Sequence, residues 1–287
     1  MALLEPRDSL DPVRDADASD PTLAGRLAYY ARSLPTLALG VRRPLSTAWS
    51  LGVLRRPKDV ALRCGLAFRC RDPTDLWIVK ETCLDRDYEP DGSGVRPGDR
   101  VLDLGAGIGD FAVRAAVLGR ARCVVACEPD PASHALLCAN VRANGASAVL
   151  PLAVAAGARE GAAELPPSRH PVRNATRAPS GRGTLVPVAT LRQLVERLPE
   201  SGCDFLKIDI EGGEYDLLDA CDDTTLASIP RVAAELHPVS PGRRRALLAR
   251  LAAAGFEWRF SPCPVNRGQG VLHARRPVSA GAVAKPG

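Results

Sequence analysis

The most constraining feature of this sequence is a glycine-rich turn that directly follows a short apolar segment. Residues 101–104 read Val-Leu-Asp-Leu, and residues 105–109 read Gly-Ala-Gly-Ile-Gly. Glycine has no side chain, so the backbone can bend sharply there and approach a ligand closely. The residues that follow have a helical pattern, and the N-terminus of a helix offers free N–H groups. The segment therefore predicts a strand, a ligand-binding turn and a helix.

The spacing of these glycines separates two classes of cofactor. Dinucleotide-binding proteins need G-x-G-x-x-G, whose third glycine lets helix and strand pack closely beside the pyrophosphate. Here the pattern is G-x-G-x-G, and the next residue is Asp110, a carboxylate that would face a pyrophosphate unfavourably. S-adenosylmethionine has no phosphate, and its amino-acid head and sulfonium tolerate a nearby carboxylate such as Asp103. The loop therefore favours S-adenosylmethionine over NAD.

A second acidic residue stands where a ribose-binding carboxylate is expected. Glu128 follows the next apolar segment and lies 23 residues beyond Gly105. The expected distance is about 20 residues, and the end of the second strand lies beside the first loop in this topology. Loop and acid together predict a nucleoside-binding site.

From residue 100 onward, apolar segments of strand length alternate with helical patterns. Apolar strands that alternate with helices predict a mostly parallel sheet covered on both faces. The last two segments, residues 256–261 and 270–274, predict a terminal antiparallel hairpin. The predicted fold is α/β and Rossmann-like, with a mostly parallel seven-stranded sheet, a C-terminal antiparallel hairpin and a mainly helical N-terminal extension.

Composition divides the chain into four parts. Residues 1–23 are acidic and lack apolar periodicity, which predicts disorder. Residues 24–95 form the helical extension, a candidate lid or contact region for substrate or partner, in which residues 76–80 predict a short strand. Residues 96–277 form the cofactor-binding domain, and residues 278–287 form a flexible tail.

The second half of the domain carries three short motifs. They are a threonine-leucine helix start at residues 190–191, K-I-D-x-E-G-x-E at 207–214 and E-L-H at 235–237. With these motifs, residues 76–238 resemble the FkbM family of class I methyltransferases. The resemblance implies methyl transfer from S-adenosylmethionine, typically to a hydroxyl of a natural product, sugar or glycan. Residues 159–183 are predicted to be loop-rich. The Pro/Arg-rich insertion at 164–183 within them departs from the family pattern, so the acceptor stays open.

The resemblance also implies which residues hold the cofactor. Asp103 would hold the amino-acid head together with the turn, whose residues are Gly105, Ala106, Gly107 and Gly109. Glu128, followed by Pro129, would hold the ribose. Ala153, just past the third strand, would lie near the adenine.

Acidic residues and a histidine follow the fourth and fifth predicted strands, where open α/β sheets bind ligands. Methyl transfer aligns the acceptor oxygen with the methyl group and needs a base to take the hydroxyl proton. We expect His237 to be that base, with Glu235 or Glu211 setting its tautomer. Asp209 would orient the cofactor or the acceptor. Such a set also suits Mg²⁺ or Ca²⁺, so a metal requirement stays open.

Charge and cysteine content bear on partners and location. Residues 26–71 contain nine arginines and one lysine against a single acid, a run that could meet an anionic partner. However, only four of the 38 basic residues are lysine, so the chain prefers arginine throughout. No apolar run is long enough to span a membrane, no secretory signal is evident, and the cysteines show no metal or disulfide spacing. These features predict a cytoplasmic protein.

Three other classes compete with a small-molecule methyltransferase. An RNA methyltransferase would use the basic run, but residues 209–212 read Asp-Ile-Glu-Gly where enzymes that methylate base amino groups carry N/D-P-P-Y/F. A nucleic-acid partner is therefore disfavoured. A non-catalytic binding protein with the same fold would not need the intact motifs. An NAD-dependent dehydrogenase is disfavoured by Asp110.

Overall fold

The computed structural model describes residues 22–90, 93–166, 176–178 and 180–277. The helices in these ranges are α1 (Leu23–Gly40), α2 (Pro44–Ala48), α3 (Pro73–Val79), α4 (Asp110–Val117), α5 (Pro131–Ala143), α6 (Leu191–Val195), α7 (Glu214–Ala220), α8 (Asp223–Ala227) and α9 (Pro241–Ala253). The strands are β1 (Lys58–Ala61), β2 (Ala67–Cys70), β3 (Arg100–Leu104), β4 (Cys123–Cys127), β5 (Val149–Leu152), β6 (Ala155–Ala156), β7 (Gly161–Leu165), β8 (Thr184–Ala189), β9 (Phe205–Ile208), β10 (Arg231–Leu236), β11 (Glu257–Pro262) and β12 (Gly270–Arg275). Two π-helical turns occupy Trp49–Val53 and Lys80–Asp85, and a 3-10 turn occupies Pro199–Ser201.

The central sheet has seven strands in the order β5-β4-β3-β9-β10-β12-β11. The first five are parallel, and β12 runs antiparallel to both β10 and β11. Leu104 pairs with Cys127 on one side and with Ile208 on the other, so the carboxyl ends of β3, β4 and β9 meet at one edge. The predicted mostly parallel sheet with a terminal hairpin is confirmed.

The parallel strands are apolar because both faces of the sheet are covered. Val101 and Phe205 pack on one face, where Phe111 of α4 stacks on Phe205 with ring centroids 5.8 Å apart. Leu102 and Leu206 are fully buried in the other layer. Adjacent residues of a strand thus contribute to opposite layers of the core.

The N-terminal extension differs from its prediction in two ways. Residues 76–80, predicted as a strand, lie in α3 and the π-helical turn that follows it. Asp72 caps α3 by accepting hydrogen bonds from the N–H groups of Thr74 and Asp75, and Pro73 takes the first helical position. These helix-start signals outweigh a short apolar run. In addition, β1 and β2 form an antiparallel hairpin that was not predicted.

The insertion contains more strand than predicted. Residues 159–183 were expected to be loop-rich, but β7 lies within them and pairs antiparallel with β8, while β6 pairs parallel with β8. The prediction failed because β7 reads Gly-Ala-Ala-Glu-Leu, which lacks β-branched and aromatic residues, and pairing with β8 overrides that weak propensity. The rest of the predicted insertion includes residues 167–175 and 179, which lie outside the described residues.

The predicted disordered N-terminus and flexible tail lie almost entirely outside the described residues, which leave out 1–21 and 278–287. Helix α1 already begins at Leu23, where Thr22 accepts a hydrogen bond from the Gly25 N–H. Within the described ranges, no helix is both long and apolar enough to cross a bilayer.

Candidate active site

The glycine-rich turn connects β3 to α4 and has the geometry of a ligand-binding loop. Gly105 has a φ of 72°, and a Cβ added there would lie 1.7 Å from the carbonyl oxygen of Asp209. Gly107 has a φ of 54°, and a Cβ added there would meet no atom within 4 Å. The first glycine is therefore required by close backbone packing, and the second leaves open space in front of the turn.

This open space belongs to a cavity at the carboxyl edge of the sheet, which we call the cofactor cavity after the cofactor predicted to bind there. Six of the residues predicted to bind cofactor or take part in chemistry line it: Gly105, Gly107, Glu128, Pro129, Asp209 and Glu211. The structure thus brings the turn, the predicted ribose acid and the end of β9 to one cavity.

The other predicted cofactor residues lie around this cavity rather than in its lining. Asp103 and Ala106 are buried, and Gly109 packs against Leu137 of α5. Ala153 is exposed, and Ala155 and Ala156 line the cavity instead. An adenine contact at Ala153 stays a prediction that this geometry does not favour.

Glu128 holds the turn from the end of β4. Its carboxylate accepts hydrogen bonds of 2.8 Å from the N–H groups of Gly107 and Asp130. Burial raises the pKa of Glu128 to about 7, and these two N–H donors oppose the rise. A carboxylate can accept about four hydrogen bonds, so its oxygens keep room for further donors such as two hydroxyl groups.

Lys207 is a buried cation whose role was not predicted. Its Nζ donates a 2.7 Å hydrogen bond to the Gly105 carbonyl and lies 3.1 Å from Oδ1 of Asp103. Burial alone would lower the pKa of Lys207, but the charges of Asp103 and Asp209 raise it instead. The lysine therefore fastens β9 to the turn. A lysine inside an apolar strand is the signal for such a role, because buried lysines are paired.

The N-terminal side of the cavity contains further polar groups that sequence reasoning missed as site residues. Arg71 and Asp75 form an ion pair of 2.8 Å, and Thr82 lies nearby on the same lining. Asp110 begins α4 and also lines the cavity, and burial raises its pKa to about 6. From the sequence, Asp110 was considered only as a carboxylate that disfavours a pyrophosphate-containing cofactor.

Tyr88 joins the ends of β9 and β10. Its hydroxyl lies 3.0 Å from Oδ2 of Asp209 and 3.2 Å from Oε2 of Glu235. The side-chain amide of Gln269 donates to the other oxygen of Glu235. Burial raises the pKa of Glu235 to about 8, and the neighbouring charge of Asp209 adds to the rise. The result is a pair of close carboxylates with an unusually basic member.

His237 lies in an ion-pair cluster with two glutamates. Its Nε2 is 3.2 Å from Glu211, and its Nδ1 is 2.9 Å from Glu214. Burial alone would lower the pKa of His237, but the hydrogen bonds to Glu211 and Glu214 raise it to about 11. Glu235, the other expected partner, contacts Tyr88 instead. A histidine that donates from both nitrogens is an imidazolium, so this geometry does not favour His237 as the base.

One set of side chains has the spacing of a metal site. Ligand atoms of Asp209, Glu211 and His237 lie within 4.8 Å of one another. These residue types suit a divalent cation. However, His237 could bind a cation only if one of its nitrogens lost its hydrogen bond to Glu211 or Glu214.

A second cavity of about 1470 Å³ adjoins the first; we call it the acceptor groove because we propose below that it takes the acceptor. Its walls come from α1, the π-helical turn after α3, and the β11–β12 hairpin. The two cavities share four lining residues, namely Ile78, Thr82, Tyr88 and Asp209. The carboxylate pair of Asp209 and Glu235 therefore lies where a molecule in the groove would meet one in the cofactor cavity.

The strand order, the glycine-rich turn and the acid at the end of β4 define a class I, Rossmann-like methyltransferase. Residues 103–257, more than half of the chain, match the methyltransferase FkbM domain. The chain therefore belongs to the FkbM methyltransferase family, as its sequence motifs predicted.

Several solved structures are similar to this chain at low sequence identity. The methyltransferase FkbM of Methylobacillus flagellatus KT is 17% identical with a TM-score of 0.45, and the match covers 86% of this chain. The chain spans 60% of the length of that relative. M. jannaschii TYW2, solved in complex with AdoMet, is 14% identical with a TM-score of 0.46, and the match covers 78% of this chain and 88% of that one. A comparison with curated proteins found no match.

Proposed function

We propose that this chain is an S-adenosylmethionine-dependent O-methyltransferase whose acceptor is a hydroxyl of a small molecule, such as a natural product, sugar or glycan. The observation that carries the proposal is the meeting of the two cavities at Tyr88 and Asp209. Direct methyl transfer requires donor and acceptor to be held side by side in line, and adjoining cavities permit this.

The residues of the first cavity fit the cofactor. Gly107 leaves the space in front of the turn open, and Glu128 keeps acceptor capacity for the two ribose hydroxyls. The turn would hold the amino-acid head, and buried Asp103 would support the turn through Lys207. When bound, S-adenosylmethionine supplies the methyl group on its sulfonium. Lys207 keeps the turn in place by holding the Gly105 carbonyl.

In this proposal, Glu235 rather than His237 takes the proton of the acceptor hydroxyl. Glu235 faces the acceptor groove, and Tyr88 and Gln269 orient its carboxylate. A pKa of about 8 suits a general base that works near neutral pH. His237, as a cation, stabilises Glu211 and the turn after β9.

The lining of the groove favours a hydroxylated acceptor. Helix α1 contributes Arg32, Ser33 and Thr36, and β11 contributes Ser261, all of which can form hydrogen bonds to hydroxyl groups. We also propose a cytoplasmic location, because all nine cysteines lie in the described residues as free thiols.

A transfer assay tests this function. Purified protein is incubated with methyl-labelled S-adenosylmethionine and a panel of polyols, glycosides and phenols, with RNA as a separate acceptor. A labelled methyl ether that is lost in Glu235→Gln and kept in Glu257→Gln, an exposed control on β11, supports the proposal. Transfer to RNA alone would identify an RNA methyltransferase. Cofactor binding without transfer to any of these acceptors would favour a non-catalytic binding protein.

A further inference from the structure

Helix α1 turns its apolar side away from the protein. Leu23, Leu27, Tyr30 and Leu34 follow one another at intervals of four, three and four residues, so they form one stripe along the helix. The three leucines are 74%, 61% and 66% exposed. On the inner side, Ser33 is 1% exposed. This reverses the usual pattern of a surface helix, in which the apolar face is buried.

The apolar exposure continues beyond α1. Leu39, Leu45, Trp49, Val53 and Leu54 are exposed as well. Nine of the thirteen exposed large hydrophobic side chains in the described ranges thus lie between residues 23 and 54. Large exposed apolar patches mark interaction sites.

The same segment is strongly cationic. Residues 23–58 contain six arginines and one lysine, and no aspartate or glutamate. Arg26 is exposed beside the stripe of α1, and Arg42 and Arg43 are exposed at the end of the helix. We call residues 23–58 the basic apolar surface.

We propose that the basic apolar surface binds the anionic face of a phospholipid bilayer, with α1 lying in the plane of the membrane. Interfacial helices combine Leu and Trp on one side with arginines whose charged ends reach the headgroups. Aromatic residues such as Tyr30 and Trp49 suit the same depth of the membrane. The positive charge selects anionic lipids.

The charge distribution distinguishes this partner from two others. A second copy of the chain, paired through the same surface about a two-fold axis, would bring seven positive charges against seven. A nucleic acid would pair with the arginines through its phosphates, but it would leave the leucine stripe uncovered. An anionic lipid surface would pair with the arginines and also cover the leucine stripe.

Membrane binding would also place the acceptor groove at the bilayer. The inner side of α1 contributes Tyr29, Ser33 and Thr36 to that groove. An acceptor at the headgroup level would therefore enter beside the helix. The binding itself does not depend on methyl transfer, and the two proposals can fail separately.

Sedimentation of the full-length chain with vesicles tests the proposal. Vesicles of neutral phosphatidylcholine are compared with vesicles that contain about 30% anionic phosphatidylglycerol. We expect binding to the anionic vesicles only. It should weaken as salt rises from about 0.1 M to about 1 M, because screening shortens from about 10 Å to about 3 Å.

Matched variants assign the binding to the surface. Leu27→Gln with Leu34→Gln should weaken binding at least about tenfold, because two apolar side chains leave the bilayer. Arg26→Gln with Arg43→Gln should weaken it by about fivefold per arginine. Leu185→Gln, which changes a leucine that is 63% exposed on β8, should bind like the wild type. Thermal unfolding checks that each variant is folded. If the variant with Leu27→Gln and Leu34→Gln does not fold, the pair Leu23→Gln with Leu45→Gln takes its place.

Three results would overturn the proposal. The first is a wild-type chain that does not sediment with anionic vesicles. The second is vesicle binding that the leucine variants do not weaken. The third is tight binding to duplex RNA that depends on the arginines but not on the leucines, which would identify a nucleic-acid surface. In the first case, self-association that is lost in the leucine variant would identify a dimer interface instead.

Discussion

The hydroxyl of Tyr88 lies 3.0 Å from Oδ2 of Asp209, at the boundary between the cofactor cavity and the acceptor groove. A tyrosine has one proton to donate, and Glu235 competes for it from 3.2 Å. The three groups therefore form one hydrogen-bonded unit whose protonation is shared. In the function that we propose, this unit would orient and deprotonate the acceptor hydroxyl.

Replacing Tyr88 with phenylalanine should lower kcat by roughly tenfold, because Glu235 and Asp209 lose the donor that orients them. The KM for S-adenosylmethionine should change little, since the turn and Glu128 are untouched. Steady-state kinetics with both substrates checks this. An unchanged kcat would show that the hydroxyl has no part in positioning.

The pH dependence of kcat separates Glu235 from His237. A base must be deprotonated, so activity should rise with pH through about 8, the pKa of Glu235. Glu235→Gln should lower kcat by about 100-fold to 10,000-fold and abolish this rise with pH, the ascending limb of the profile. His237→Gln should keep the limb even if the rate falls. If His237→Gln abolishes the limb and Glu235→Gln keeps it, the histidine is the base after all.

Binding of S-adenosylmethionine should strengthen as pH rises through about 7, the pKa of Glu128. The ionised carboxylate accepts hydrogen bonds from two hydroxyls, whereas the protonated form loses acceptor capacity. Each pH unit below the pKa should weaken binding by up to about tenfold. Titrations over this range check the slope. Glu128→Gln should bind S-adenosylmethionine weakly, with an affinity that does not change over this pH range. If the variant keeps the wild-type pH dependence, another group is responsible for it.

Replacing Lys207 with methionine should destabilise the fold by about 3–5 kcal/mol, because Asp103 would remain as a buried charge without its partner. Urea unfolding measures the loss. Asp103→Asn combined with Lys207→Met should recover part of the stability, since the uncompensated charge is then gone. A double variant less stable than Lys207→Met would contradict this ion-pair account.

Chelation with EDTA should leave methyl transfer within about twofold of its starting rate. The reason is that His237 is engaged by Glu211 and Glu214 on both nitrogens, so Asp209 and Glu211 lack a free third ligand. Activity measured before and after chelation checks this. A loss that added Mg²⁺ restores would show that the three residues share a cation.

The fold could be predicted where its determinants are local. The turn from Gly105 to Gly109 and the apolar strands beside it follow directly from residue type and spacing. The β1–β2 hairpin depends instead on distant partners, because Asn140 accepts a hydrogen bond from the N–H of Arg69 and Asn144 accepts one from the N–H of Ala67. Such contacts leave no periodic pattern in the sequence.

The site shows the same division. Glu128 and Gly107 were predicted because the motif fixes their spacing, and they do lie together. The partners of Glu235 were missed because both are distant in the sequence. Tyr88 lies 147 residues before Glu235, and Gln269 lies 34 residues after it. From the motif at the end of β10 we predicted His237 as the base. Packing, which the motif does not encode, places His237 between two glutamates and brings Glu235 to Tyr88 beside Asp209.

In the proposed function, the glycine-rich turn and Glu128 bind S-adenosylmethionine. Calorimetric titration of the purified chain with S-adenosylmethionine and, separately, with NAD⁺ tests it most directly, together with Gly107→Arg and Glu128→Ala. We expect roughly micromolar binding of S-adenosylmethionine alone, which is lost in Gly107→Arg and strongly weakened in Glu128→Ala. No binding to the wild type, or binding indifferent to both substitutions, would contradict it.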